Sequence, residues 1–217
     1  MCDYDILDKL IDNNLFGINK AITIKTNYDN IFGVFVTIFR NSCCTNELNN
    51  NNVHGCIGYW NNNFKLLTND EILEHVLRVG HDATHNDSRK NNFKKSIKLD
   101  LCATYEISLM KKPLMEIDSN GYIKHLNKYF DNREYGIIVT NNNGNKATFL
   151  PNVFKNVSWK YISNSLLNKA NISLKTEKIY FYAYNTLILK RTLIEKYLLK
   201  KYLFFISKYL KKIYHMK

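Results

Sequence analysis

A cysteine lies between two glycines in the stretch Val53-His54-Gly55-Cys56-Ile57-Gly58, which runs on into the aromatic pair Tyr59-Trp60. A thiolate is a nucleophile and a redox centre. It forms at neutral pH only where a base, a cation or backbone amides stabilise it and solvent can reach it. His54 is the candidate base, because residues two apart on a regular strand point to one face and its ring would then stand beside Cys56. Gly55 and Gly58 leave room for backbone amides to face an oxyanion or a phosphate. The same residues admit a structural reading, in which Cys56 is a small buried side chain and the glycines let two layers pack closely.

Asp87-Ser88-Arg89 is the second candidate. Arg89 has the planar fork that binds a carboxylate or phosphate bidentately, with Asp87 beside it in the ligand-binding set. It could equally pair with Asp87 or cap the preceding helix. His81-Asp82-Ala83-Thr84-His85 has two histidines four apart, near the H-E-x-x-H zinc pattern. Its acid is Asp, no third ligand is evident, and no metal site is expected. Tyr59, Trp60 and Phe64 could stack on a flat ligand, though aromatic residues beside a strand more often fill a core. No cofactor motif stands in the chain, and none is expected to be bound.

The elements that must hold these residues read as follows. Ile6, Leu7, Leu10, Ile11 and Leu15 share one helical face in 5–15. Residues 31–39 form a β-branched and aromatic run, a buried strand. Residues 55–60 form a second strand, antiparallel to the first across the polar loop 41–52. Thr68 caps a helix that runs to about Asn86, with Glu71 completing a capping box. Residues 99–110 read as a strand that Pro113 ends. Strands 136–140 and 146–150 flank the hairpin signal Asn141-Asn142-Asn143-Gly144-Asn145. A helix over 158–169 and strand-like residues over 177–189 follow. The elements do not alternate as βαβ units, so the class is α+β with a mostly antiparallel sheet and flanking helices.

The net charge of the 217 residues is +12, and the part from Lys190 to Lys217 holds nine basic residues against one acid, Glu195. That tail, 190–217, is treated as a unit apart from the domain 1–189. On a helical wheel one half carries Leu198, Leu199, Tyr202, Phe205, Ile206, Tyr209, Leu210 and Ile213, and the other half is rich in lysine. It is a basic amphipathic helix that could lie on an acidic membrane surface, enter a partner's groove, bind phosphate backbones or pack on its own domain. Five cysteines without regular spacing suit a reducing compartment and exclude a disulfide framework or a C-x-x-C zinc site. The acidic opening, 1–12, has no apolar run of the kind a secretory signal needs, and no segment is long and apolar enough to span a bilayer. An intracellular protein, cytoplasmic or nuclear, is expected.

The ordered series Gly33-Val34-Phe35-Val36-Thr37-Ile38, Val53 to Gly58, Asp87-Ser88-Arg89, Glu106-Ile107-Ser108, Tyr135-Gly136-Ile137 and Thr148-Phe149-Leu150-Pro151 resembles the AMMECR domain family. Trp159 and Leu166-Leu167-Asn168-Lys169-Ala170 extend the resemblance, which covers about 5–189. It implies an α+β fold with a larger antiparallel-sheet lobe and a smaller one. It also implies association with Memo-type proteins and radical S-adenosylmethionine enzymes in a modification pathway, and a nuclear setting for animal members. This chain departs from the family pattern at three places. Val53-His54 stands where relatives have Leu-Arg, Lys90 where they have an aromatic residue, and Tyr135 where they often have His. An anion-binding role for that missing arginine is therefore not carried over, and the chain is similar to a divergent member.

Three functions compete. One is an accessory or binding protein that works with others through a groove near Cys56. The second is an enzyme with Cys56 as nucleophile or redox thiol, His54 as base and Arg89 on an anionic substrate. The third is a nucleic-acid-associated factor that uses the basic tail.

Overall fold

A computed structural model describes residues 6–11, 27–40, 53–61, 63–89, 103–173 and 178–192. The first element is helix α1, residues 6–11, whose Ile6, Leu7, Leu10 and Ile11 are all buried. The strands and helices that follow are β1 (Ile31–Arg40), β2 (Val53–Trp60), α2 (Asn69–His85), β3 (Ala103–Ile117), β4 (Tyr122–Ile123), β5 (Lys128–Tyr129), β6 (Gly136–Asn141), β7 (Lys146–Phe149), α3 (Trp159–Ala170) and β8 (Ile179–Thr192). All the strand pairs are antiparallel, and the main path of the sheet is β2-β1-β3-β8-β6-β7, with β4 on β3 and β5 on β4. The α+β class read from the sequence is the class observed.

The period of two along each strand divides the sheet into two faces. Val34, Val36, Ile38, Tyr105, Ile107, Leu109 and Leu189 turn to one face and form a core with α1 and α2. Ile137, Val139, Ala147 and Ala183 turn to the same face further along, where they meet Ile162, Leu166 and Leu167 of α3. The alternate residues Met110, Ile138 and Tyr184 make a third cluster on the opposite face, joined by Phe32 from the irregularity between Ile31 and Gly33 in the β1–β3 ladder. The long strands β3 and β8 run through both halves, so the two helix-covered cores share one sheet.

The sheet curls, and its two edge strands approach each other. Lys146 on β7 sets its ammonium 4.9 Å from the ring centroid of Trp60 on β2. Tyr184 is wholly buried on this inner face and hydrogen-bonds Thr148 on β7 at 2.9 Å. Between the edges the inner face opens into a cleft.

Two local forms explain how the sequence sets these elements. Thr68 accepts the backbone N–H of Glu71, and Glu71 accepts that of Thr68, so the capping box closes the start of α2 as expected. The turn after β6 is held by Asn141, whose side chain accepts the N–H groups of Asn143 and Asn145.

The expected end of β3 is corrected. The strand continues beyond Pro113 to Ile117, because the proline falls in an irregularity of the β3–β8 ladder between Lys111 and Met115. No ladder bond there needs the N–H that proline lacks. At the other long strand, pairing with β3 continues beyond Leu189 through Lys190, Arg191 and Thr192. The amphipathic helix expected in the tail, the loop 41–52 and residues 12–15 lie outside the described residues. So do Cys2, Cys43, Cys44 and Cys102.

Candidate functional site

Cys56 sits on β2 at the edge of the sheet and stands opposite Thr37 of β1. Its backbone N–H donates to Asp87 Oδ2 at 2.9 Å, and its backbone oxygen accepts from Arg89 Nη2 at 2.8 Å. Both groups therefore point outward, away from β1. In an antiparallel ladder this is the pair type that brings the two side chains closest together. The Thr37 hydroxyl accordingly reaches the Cys56 sulfur, donating at 3.2 Å.

Asp87 and Arg89 act as one clip on the open edge of β2. Asp87 Oδ1 accepts both the backbone N–H and the Nε–H of Arg89 at 2.9 Å, and Oδ2 takes Nη2 at 2.5 Å. The Asp87 side chain is 4% exposed and that of Arg89 43%, so the carboxylate is the buried member. Burial alone would raise the Asp87 carboxyl, but the Arg89 side chain and the N–H groups of Cys56 and Arg89 outweigh it and hold its pKa at about 2. A sheet edge that would otherwise expose its polar backbone is closed by this pair.

His54 does not reach Cys56. The register shifts between Ile38 and Phe39: Ile38 pairs with Gly55, but Phe39 pairs with Val53. The extra residue is a β-bulge, which turns His54 to the helix side of the sheet and leaves Val53 on the cleft side. His54 is 3% exposed and its Nε2 lies 3.0 Å from the backbone oxygen of Thr84 on α2. The expected alignment of His54 with Cys56 assumed a regular strand, and the bulge removes it.

The two glycines are placed by packing. A Cβ on Gly55 would lie 1.9 Å from the Ala83 backbone oxygen, so the missing side chain lets α2 press against β2. A Cβ on Gly58 would meet the Phe35 ring at 2.2 Å. That ring crosses Gly58 and stacks on Trp60 with centroids 5.8 Å apart. Tyr59 points to the other face and stacks on His75 of α2 at 3.8 Å. His81 and His85 lie exposed along α2 with ring centroids 4.6 Å apart. Among the described residues no three groups of metal-ligand type gather.

The cleft beside Cys56 has a volume of about 820 Å3. Its floor is a row of directly opposed residues on four successive strands: Cys56, Thr37, Glu106 and Lys190. Phe39, Val53, Ser108 and Ile188 flank the row, and Arg89 stands at the β2 end. The opposite wall is the segment after β7, from Leu150 to Val153, with Lys155. Asn132 holds that wall in place. Its side chain donates to the backbone oxygens of Tyr135 and Leu150, both at 3.2 Å, and accepts the N–H of Phe154 at 2.9 Å.

Burial pushes the Cys56 thiol up, and the Thr37 hydroxyl and the Arg89 and Lys169 cations pull it down without offsetting that rise. Glu106 is also pushed up by burial, against the pull of Lys190 at 3.5 Å. Lys169 donates to the Thr148 backbone oxygen at 2.9 Å, and the partial desolvation of its ammonium lowers its pKa.

The model of the AMMECR1 family matches residues 9–189. The chain belongs to the AMMECR1 family. Among solved structures it is similar to an uncharacterized protein, PH0010, from Pyrococcus horikoshii, with 18% sequence identity and a TM-score of 0.56. That match covers 86% of this chain and 87% of the other. At this identity the likeness concerns the fold. No curated protein matches the chain.

The segments that carried the resemblance to AMMECR1 domains converge on the cleft. Thr37, Cys56, Arg89, Glu106 and Ser108, with Leu150 and Pro151, come from five of them. Thr37, Glu106 and Ser108 were not singled out as site residues in the sequence. Their signal is a period of two: they are the polar positions between Val36 and Ile38 and between Tyr105, Ile107 and Leu109. Asn132, Lys155 and Lys190 carried no such signal, because each reaches the site through a fold contact distant in sequence. Among the described residues no helix is long and apolar enough to cross a membrane.

Proposed function

We propose that this AMMECR1 domain is an accessory, binding component of a modification pathway, and that it engages its ligand or partner through the cleft beside Cys56. The observation that carries the reading is the separation of His54 from Cys56 by the bulge in β2. A thiol enzyme needs a base, a cation or aligned amides to make a thiolate. Here the candidate base faces the helix layer, the Cys56 N–H is committed to Asp87, and burial pushes the thiol up. What remains is a shaped, mixed-polarity cleft of a size that suits a ligand. Memo-type and radical S-adenosylmethionine proteins, which the family resemblance implies as associates, are the partners this reading favours, in a cytoplasmic or nuclear setting. The basic tail would add contact with an acidic surface.

A second reading keeps Cys56 as a nucleophile or redox thiol, favoured by its place on the cleft floor and by the nearby cations Arg89 and Lys169. One experiment separates the two. The rate of alkylation at Cys56 is followed against pH by mass mapping of the labelled cysteine, in wild type, Cys56→Ser and His54→Ala. Slow labelling at neutral pH that rises only above the ordinary thiol range, unchanged in His54→Ala, supports the binding reading. Fast labelling at neutral pH that His54→Ala slows makes the protein a cysteine enzyme. Loss of nucleic-acid binding with salt and with removal of 190–217 would instead favour the tail as a nucleic-acid contact.

A further inference from the structure

The row Cys56–Thr37–Glu106–Lys190 gives the cleft floor a polarity along its length, from a neutral thiol on the edge strand to an ion pair on β8. At the β8 end Lys190 Nζ lies 3.5 Å from Glu106 Oε2. A tight charge-assisted bond is nearer 2.8 Å, so roughly 0.7 Å of slack remains in this pair. The Lys190 side chain is 43% exposed and that of Glu106 only 17%. The ammonium has three donors and faces the cleft, while the carboxylate is held beneath it.

The rest of the lining restricts the ligand. Arg89 is engaged by Asp87 and by the Cys56 backbone oxygen. Lys190 is balanced in charge by Glu106. Lys155, on the opposite wall, makes no ion pair among the described residues, so the described lining residues, with Asp87 counted against Arg89, carry one more cation than anion. One surplus charge suits a monoanion better than a phosphate dianion. Ile188 is 44% exposed, a large aliphatic surface open within the cleft, with Phe39 and Val53 on the same wall and Leu150 and Pro151 across from it. An apolar body would remove that surface from water.

We infer that the cleft takes a carboxylate carried on an apolar chain, with the carboxylate taken by Lys155 together with the exposed ammonium of Lys190 and the chain against Ile188. This rests on the reading of the cleft as a binding site. A free small acid and the C-terminus of an apolar peptide present the same chemistry. The test uses the full chain and isothermal titration with octanoate, octanol and octylamine, and with a short apolar peptide as its free acid and as its amide.

Octanoate binding about tenfold tighter than octanol is expected, the size of one charge-assisted contact at a half-exposed group. Lys155→Gln and Lys190→Gln each weaken that preference and the double change removes it, while Glu106→Gln strengthens octanoate binding by deleting the competing carboxylate. A peptide acid that binds more tightly than octanoate, and is lost on amidation, assigns the site to a chain terminus. Octanoate binding with no response to either peptide assigns it to a free acid. Octanol or octylamine binding as well as octanoate overturns the inference but leaves the cleft a binding site. No binding by any probe overturns both.

Discussion

Arg89 reaches back 33 residues to donate its Nη2 to the backbone oxygen of Cys56 at 2.8 Å. With Asp87 accepting the N–H of the same residue, both outward polar groups of Cys56 are satisfied by side chains from the segment after α2. The family segment Asp87-Ser88-Arg89 thus serves the backbone of the edge strand, and through it fixes where the Cys56 side chain points.

This pairing makes Asp87 and Arg89 energetically one unit. Asp87→Ala should destabilise the fold by about 2–3 kcal/mol, because it leaves a buried N–H and a guanidinium without their acceptor. The partial exposure of Arg89 keeps the figure at that modest level. Urea titration of Asp87→Ala, Arg89→Ala and the double variant tests the coupling. The double change should cost clearly less than the two singles added together, and strict additivity would refute the clip.

The same group has a pH consequence. The Asp87 pKa is about 2 in the fold against an ordinary 3.8. A depressed carboxyl contributes stability that is fully present above the unfolded value and is lost as pH falls through the folded value. Stability should therefore decline between about pH 4 and pH 2. Asp87→Asn should flatten that part of the curve. Thermal melts across the window decide it: an acid limb of the same steepness in the variant would place the titration elsewhere.

His54 should matter to folding and not to the thiol. His54→Ala removes a fully packed ring and its contact with the Thr84 backbone oxygen, and should cost on the order of 2 kcal/mol. A conservative His54→Gln should recover part of the loss. The denaturation midpoint should move while Cys56 alkylation at a pH where the variant is folded stays at the wild-type rate.

Gly55 is a point of close layer contact. Gly55→Ala would drive a methyl to within 1.9 Å of the Ala83 backbone oxygen, and the helix would have to shift. Overpacking of this kind costs about 1–3 kcal/mol or more. Circular-dichroism melts that show Gly55→Ala as stable as wild type would mean that α2 does not press on β2 there.

Asn132 should control the far wall of the cleft. Asn132→Ala removes one donated bond, to Leu150, and one accepted bond, from Phe154, that tie 150–154 to the turn before β6, and a third bond within that turn, to Tyr135. Amide exchange in 150–154 should rise by an order of magnitude or more, since each buried bond lost is worth about 1 kcal/mol. Exchange confined to the site of substitution would show that the wall stands without it.

Much of this organisation is legible in the residues themselves. The buried run 31–39 and the alternation in 103–110 specify strands, and Thr68 with Glu71 specifies where α2 starts, because local patterns of burial and capping act over a few residues. The Asn-rich turn before Gly144 fixes the β6–β7 hairpin for the same reason. The family follows from short segments in order, each of which keeps its place along the chain whatever the fold does. The sequence also pointed to Cys56 and to Asp87 with Arg89. What it left open was which of these residues touch. His54 and Cys56 share a face on paper, and a single extra residue in β2 sends them to opposite faces, since a one-residue slip inverts every side chain beyond it. Pro113 signals the end of a strand locally, but the β8 ladder resumes beyond it. Thr37, Glu106 and Lys190 become neighbours of Cys56 only through the register of four strands, and Asn132 supports the cleft only because the sheet curls. Register and curvature are cooperative properties of the whole sheet, set by the packing of α1, α2 and α3 on its outer face, and no local stretch of sequence encodes them.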